Sequence, residues 1–285
     1  MDAPPTVTPE LANELLSHVW IRPNALDELA EEEFEDFAWF RERLAAARAG
    51  GDPYSLWIAY ETGVHRLPLQ LGEMMWEAFL RGTPALEAAK ATQRAAARAA
   101  ERVSRDLDWW NTHFPAAWWQ AHGVQEKSFL LFMTYAYVRP LEHASVLLLW
   151  CSLQDSAAFQ AMEDLDASLR YEQHALENPG TVHLRSCSTM QGSLTQIRED
   201  WNKVKPMLAF MRALVPTVRE EARRERADLV QETSVFGLTS RYPHPKDGDR
   251  GRFFHCGNAF ERSLQALVEL QRDVDRFSDW VAEFC

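Results

Sequence analysis

Residues 142–177 read EHASVLLLWCSLQDSAAFQAMEDLDASLRYEQHALE, and their pattern decides the fold class. The segment 142–151 is apolar on nearly every side, which places it at the centre of a packed structure. Ser152-Leu-Gln-Asp155 has the shape of a capping box, so a new helix is expected to start at Ser152. Beyond it Phe159, Met162, Leu165 and Leu169 recur at helical spacing, while Glu163 and Asp166 fall nearer the surface. The longest apolar run, Val146 to Cys151, is far too short to span a bilayer.

Working outward, the same helical texture extends over nearly the whole chain. Residues 1–25 read as an extended arm with one amphipathic piece from Glu10 to His18. A helix over about 26–48 ends at Gly50-Gly51, a good C-terminal stop. Asp52-Pro53 starts the next, with Asp as N-cap and Pro at the first helical position. It runs to about Leu80, with a bend expected near Gly63 or Pro68. Thr83-Pro84 repeats the start signal before an alanine-rich helix to Trp110, and Pro115 opens a segment holding Trp118 and Trp119. Pro140 kinks or breaks the apolar stretch 125–151. Asn178-Pro-Gly180 breaks the chain, and another helix covers about Gly192 to Leu214, with Val218 to Arg226 continuing or restarting it. Residues 241–257 read as an irregular loop, and a last helix spans about Asn258 to Phe284. Long helices on short loops imply an all-α bundle, here a single domain over 1–285.

Composition narrows the function classes. The chain has 285 residues, is 46% hydrophobic and carries a net charge of −12, which disfavours nucleic acid and anionic membrane surfaces as partners. Cys151, Cys187, Cys256 and Cys285 form no CxxC pair, so free thiols in a reducing cytoplasm are expected. The N-terminal MDAPPTVTPE lacks a basic segment followed by an apolar stretch and is not read as a signal peptide.

A carboxylate-bridged di-iron bundle needs Glu-x-x-His twice, because that spacing stacks an oxygen and a nitrogen ligand on one helix face. No Glu or Asp here has His three residues later. Glu61/His65 and Glu14/His18 sit four apart, and Glu73 stacks on Glu77. Glu142 and His143 are adjacent and point different ways, and Glu172 and His174 lie about 200° apart around a helix. An irregular ligand set drawn from Glu61, His65, Glu73, Glu142, His143 and Glu172 would make the chain an autonomous metal-dependent oxidase or oxygenase. GxSxG, P-loop and GxGxxG motifs are absent. His255-Cys256 with His244 lacks zinc-like spacing, and Glu163-Asp-Leu-Asp166 is not a magnesium-holding DDxxD cluster. Trp109, Trp110, Trp118 and Trp119 read either as core or as anchors of a partner surface.

Three segments together carry a resemblance. They are DPYSLWIAYETGVHRL (52–67), YVRPLEHASVLL (137–148) and the stretch 157–170 with Phe159, Gln160, Ala161, Asp164, Leu169 and Arg170. With DWNKVKPMLAFMRAL (200–214), the chain over roughly 50–235 resembles the β subunit of bacterial multicomponent monooxygenase hydroxylases, the soluble methane, phenol, toluene and alkene type. The matching positions are Asp52, Pro53, Trp57, Tyr60, Pro140, Leu141 and His143. The resemblance implies a ferritin-like helical bundle with flanking helices, no cofactor in this chain and a di-iron centre in a partner α subunit. It further implies a γ subunit and a second β copy as partners, in an NAD(P)H-dependent complex whose substrate binds in another chain. The short N-terminal arm departs from the family. A helical scaffold unrelated to oxygenases is the remaining reading.

Overall fold

The computed structural model describes residues 6–22, 37–122, 141, 146–178, 186–236 and 249–285. The fold is all-α. Its elements are α1 (Pro9–Val19), α2 (Phe37–Ala49), α3 (Pro53–Leu80), α4 (Ala85–His113), α5 (Ala116–Ala121), α6 (Val146–Cys151), a 3₁₀ turn (Ser152–Asp155), α7 (Ala157–Glu177), α8 (Cys187–Phe236) and α9 (Asp249–Phe284). Among the described residues there is no strand, and no helix is long and apolar enough to cross a membrane.

The contacts divide the chain into two compact units. The first comprises Met1–Met75, Ala89–Ser145 and Ser240–Asp249; the second comprises Trp76–Ala88, Val146–Thr239 and Arg250–Cys285.

In the first unit the helix ends follow local chemistry. Gly50 and Gly51 take φ of 76° and 88°, which ends α2 in the left-handed region that glycine enters without strain. A Cβ on Gly50 would also stand 2.8 Å from the Pro9 nitrogen. Asp52 caps α3, accepting from the Tyr54 N–H at 3.1 Å and from the Ser55 hydroxyl. Helix α3 continues through Gly63 and Pro68, although Pro68 has no N–H for the Val64 carbonyl. Leu56, Trp57, Tyr60, Val64, Leu67 and Leu71 are fully buried along it. Helix α4 buries Ala89, Thr92, Ala96, Ala99, Val103, Leu107 and Trp110 in steps of three and four, with Ala100 beside them.

The N-terminal stretch is part of this unit, not a loose arm. Thr8 caps α1 by accepting from the Leu11 N–H at 3.3 Å. Ala12, Leu15, Leu16 and Val19 are buried, as is Trp20 beyond the helix end. The reason is a matching notch. Gly63 on α3 leaves the space that Val19 and Trp20 fill, since a Cβ there would lie 2.6 Å from Val19 Cγ2.

The second unit is built from α6 to α9, the end of α3 and the start of α4. Its long helices bury residues in alternating steps of four and three: Met190, Leu194, Ile197, Trp201, Val204, Leu208 and Met211 on α8, and Leu267, Leu270, Val274, Phe277 and Val281 on α9. That spacing keeps one seam facing a neighbouring helix over many turns. Helix α8 starts five residues earlier than Gly192 and runs unbroken through Pro206 and Pro216.

Three local expectations are corrected. Ser152–Asp155 is a 3₁₀ turn, and the N-terminal boundary of α7 is Ser156, whose buried hydroxyl makes no capping bond. Residues 249–257 of the expected loop are the first turns of α9; Pro243 and Pro245 precede them, and 241–248 lie outside the described residues. Phe159 and Leu169 are buried and Glu163 is exposed as expected, but Met162 is only half-buried.

Candidate functional site

The proposed metal ligands do not assemble into one described group. On α3, His65 Nε2 lies 3.8 Å from Glu61 Oε1, a one-turn pair at partly exposed positions. Glu73 is engaged by Arg22 in an ion pair that fastens the N-terminal stretch to α3. Glu172 belongs to the other unit, on α7. Glu142 and His143, together with His244, His255 and Cys256, lie outside the residues whose side chains are described. Among the described residues no three His, Cys, Asp or Glu side chains come together as a metal-binding group.

Glu172 instead lines an open cleft of about 420 Å³ between α7 and α8. Ser168 and Tyr171 flank it on α7, and Gln196 and Asp200 face it from α8. Asp200 accepts from Gln196 at 2.9 Å and from Lys203 at 2.7 Å, and these bonds hold its carboxyl below the usual carboxylate range. The wall is acidic and hydroxyl-bearing, suited to hydrogen-bond donors.

A buried polar group in the first unit escaped the sequence reading. Asp106 sits on the apolar face of α4, one turn before Trp110. Its carboxylate accepts from Tyr60 Oη at 2.9 Å and from His18 Nδ1 at 2.9 and 3.1 Å. Burial pushes the Asp106 carboxyl up, against the opposing pull of His18 and Tyr60. Burial, together with the Asp106 charge, pushes the Tyr60 hydroxyl well above its ordinary value. Nearby, Gln70 donates to the Val19 carbonyl at 2.9 Å and accepts from the Ile21 N–H at 2.9 Å. Trp20 Nε1 donates to the Ala59 carbonyl at 3.0 Å. Together these bonds satisfy the polar groups that burying residues 18–21 would otherwise strand. One signal was readable: an acid in phase with Ala96, Ala99, Val103 and Trp110 must be buried, and a buried acid needs donors.

The four tryptophans divide. Trp110 and Trp119 are fully buried, each meeting Trp57 edge-on at 5.1 and 4.8 Å. They have no surface left to offer a partner. Trp109 and Trp118 are half-buried and carry histidines: Trp109 stacks on His113 at 4.9 Å, and Trp118 meets His122 at 4.4 Å. His122 stacks in turn on Tyr54 at 4.6 Å, and the Arg43 guanidinium lies over both Tyr54 and the exposed Trp39. This rim of rings on the first unit is what remains of the expected partner surface.

No family model matches the chain, and neither any curated protein nor any solved structure does.

Proposed function

We propose that this chain is a non-catalytic structural subunit of the kind it resembles, the β chain of a multicomponent di-iron monooxygenase hydroxylase. Its helices form a ferritin-like bundle that packs against an iron-bearing α subunit in the cytoplasm, with a γ chain and a second β copy completing the complex. The α chain oxidises a hydrocarbon or aromatic substrate with O₂. This chain keeps the ligand-bearing helices of its partner in place.

The observation that supports this reading is the work done by the residues that carry the resemblance. Asp52 caps a helix and Pro53 opens it. Trp57, Tyr60, Leu141, Phe159 and Leu169 are all buried. The pattern is one of packing and capping, as a subunit kept for its shape requires. Trp109 and Trp118 supply aromatic surface of the sort obligate interfaces use.

The test has two arms. The chain purified alone is assayed for iron and for O₂-dependent oxidation, and neither is expected. It is then co-expressed with a candidate α chain bearing two Glu-x-x-His motifs, encoded beside it. A defined complex is expected, weakened by Trp118→Ser without loss of folding. Stoichiometric iron with turnover in the isolated chain would overturn the proposal, as would a stable monomer indifferent to any such α chain.

A further inference from the structure

Helices α8 and α9 run antiparallel. Near their middles Arg219 grips Glu261 through two bonds of 2.7 and 3.1 Å. At the far end the first residue of α8, Cys187, meets the end of α9: its Sγ–H points to the Phe284 carbonyl at 4.0 Å. The next residue is Cys285, whose thiol is pushed up to about 11 by the neighbouring Cys187 sulfur and by burial. Both cysteines are free and exposed. Neither is on a slack loop. The Cys285 N–H bonds the Val281 carbonyl at 2.9 Å, so its backbone completes the last turn of α9. The start of α8 is held by Ser186, whose carbonyl accepts from the N–H groups of Thr189 and Met190 at 3.0 and 3.2 Å.

Two accessible thiols, one against the Phe284 carbonyl and the other on the very next residue, sit on separate anchored helix ends and are placed for a reaction that neither could carry out alone. We propose that Cys187 and Cys285 form a reversible disulfide clasp, a redox-modification site that hydrogen peroxide closes and a dithiol reductant opens.

The chemistry balances within the pair. The Cys187 sulfur, as thiolate, attacks one oxygen of the peroxide. The O–O bond breaks, hydroxide leaves and takes up a proton as water, and Cys187 becomes a sulfenic acid. The Cys285 sulfur then attacks the Cys187 sulfur. The S–S bond forms, the S–O bond breaks, and the departing hydroxide leaves with the Cys285 proton as a second water. Two thiols lose two electrons, and one peroxide is reduced to two waters. The order of events follows from the pair itself. The neighbouring Cys187 sulfur and burial push the Cys285 thiol up to about 11, so Cys285 keeps its proton during the first step. Once Cys187 is a sulfenic acid, Cys285 gives up its proton as its sulfur attacks.

The clasp would close a loop of about one hundred residues, and long loops gain the most from cross-linking. In the full chain, reduced and then treated with one equivalent of peroxide, alkylation and non-reducing peptide mapping should find a Cys187–Cys285 cross-linked pair two hydrogens lighter than the separate peptides. The melting temperature of the oxidised chain should rise by roughly 10 °C and fall back with dithiothreitol. Cys187→Ser and Cys285→Ser should each abolish the cross-link and the rise. Because both residues are exposed, each variant should match the reduced wild type in its melt, which separates loss of the clasp from loss of the fold. Peroxide that leaves both thiols alkylatable would overturn the proposal. So would oxidation of the two cysteines to separate sulfinic acids, or pairing of either with another cysteine or another chain.

Discussion

The two units solve the same packing problem with different materials. The first buries polar side chains within bonded networks: Ser55, Gln70 and Asp106 all sit below the surface with bonds to side chains or backbone, although Trp110 Nε1 is buried without one. The second packs α8 and α9 with leucine, methionine, valine and phenylalanine along regular seams and leaves its charge pairs outside, as with Arg219 and Glu261 or Arg223 and Glu220. A buried polar group penalises every arrangement in which its partner is missing, so these bonds favour one arrangement of the first unit. A hydrophobic seam with exposed ion pairs tolerates substitution better, because apolar contacts are less directional and solvent screens the charges.

The largest effect should come from the aromatic centre of the first unit. Trp57→Ala removes a fully buried ring that Trp110 and Trp119 both meet edge-on, and is expected to cost ~3–5 kcal/mol in urea unfolding. Phe159→Ala in the second unit, where the ring meets Trp150 at 5.6 Å and is slightly exposed, should cost about 3 kcal/mol, at the low end of the same range. A reversed order would break the contrast. Gly63→Ala forces a methyl group into Val19 and Trp20 and should cost about 1–3 kcal/mol, with faster proteolysis ahead of residue 22 as the specific sign that the N-terminal stretch has lifted. An undisturbed N-terminal stretch in that variant would show that the notch is slack.

The sharpest comparison is in acid, where the two units should respond with opposite sign. Asp106 has its carboxyl raised above the ordinary 3.8. Its contribution to stability is therefore largest below that value and is lost as pH rises through the raised folded value. Asp106→Asn stays neutral, so its melting temperature relative to wild type should improve as pH climbs through that window. Glu261 is held below the ordinary 4.5 by Arg219. Its contribution is present above 4.5 and is lost as pH falls through the lowered value, so Glu261→Gln should differ from wild type only on the neutral side. Glu261→Gln should have the smallest effect of the series, and added salt should erase it. Parallel pH profiles for the two variants would remove the distinction between the units.

Which parts of this were legible from the chain follows the range over which each signal acts. The stop at Gly50-Gly51 and the start at Asp52-Pro53 are written in four adjacent residues and stand where expected. The all-α class follows from periodicity that every long helix repeats. The capping-box reading at Ser152 failed because residues 152–155 close into a 3₁₀ turn and α7 begins only after Ser156. Docking of residues 7–22 was invisible locally, since its determinants are Gly63, Gln70 and Asp106, far along the chain. Cys187 and Cys285 were readable only as two free thiols until the antiparallel run of α8 and α9 brought them together.

The alanine stripe of α4 has a mechanical consequence. Ala89, Ala96, Ala99 and Ala100 have no rotamers to freeze, so burying this face costs backbone order alone and lets a neighbouring helix approach closely. A face that smooth also lacks the ridges that lock one helix lengthwise against another. Axial slip along α4 must therefore be stopped elsewhere. The detent is one turn near its C-terminal end, where Asp106 and Trp110 engage Tyr60 and Trp57 of α3 like a key at the end of a plain shaft.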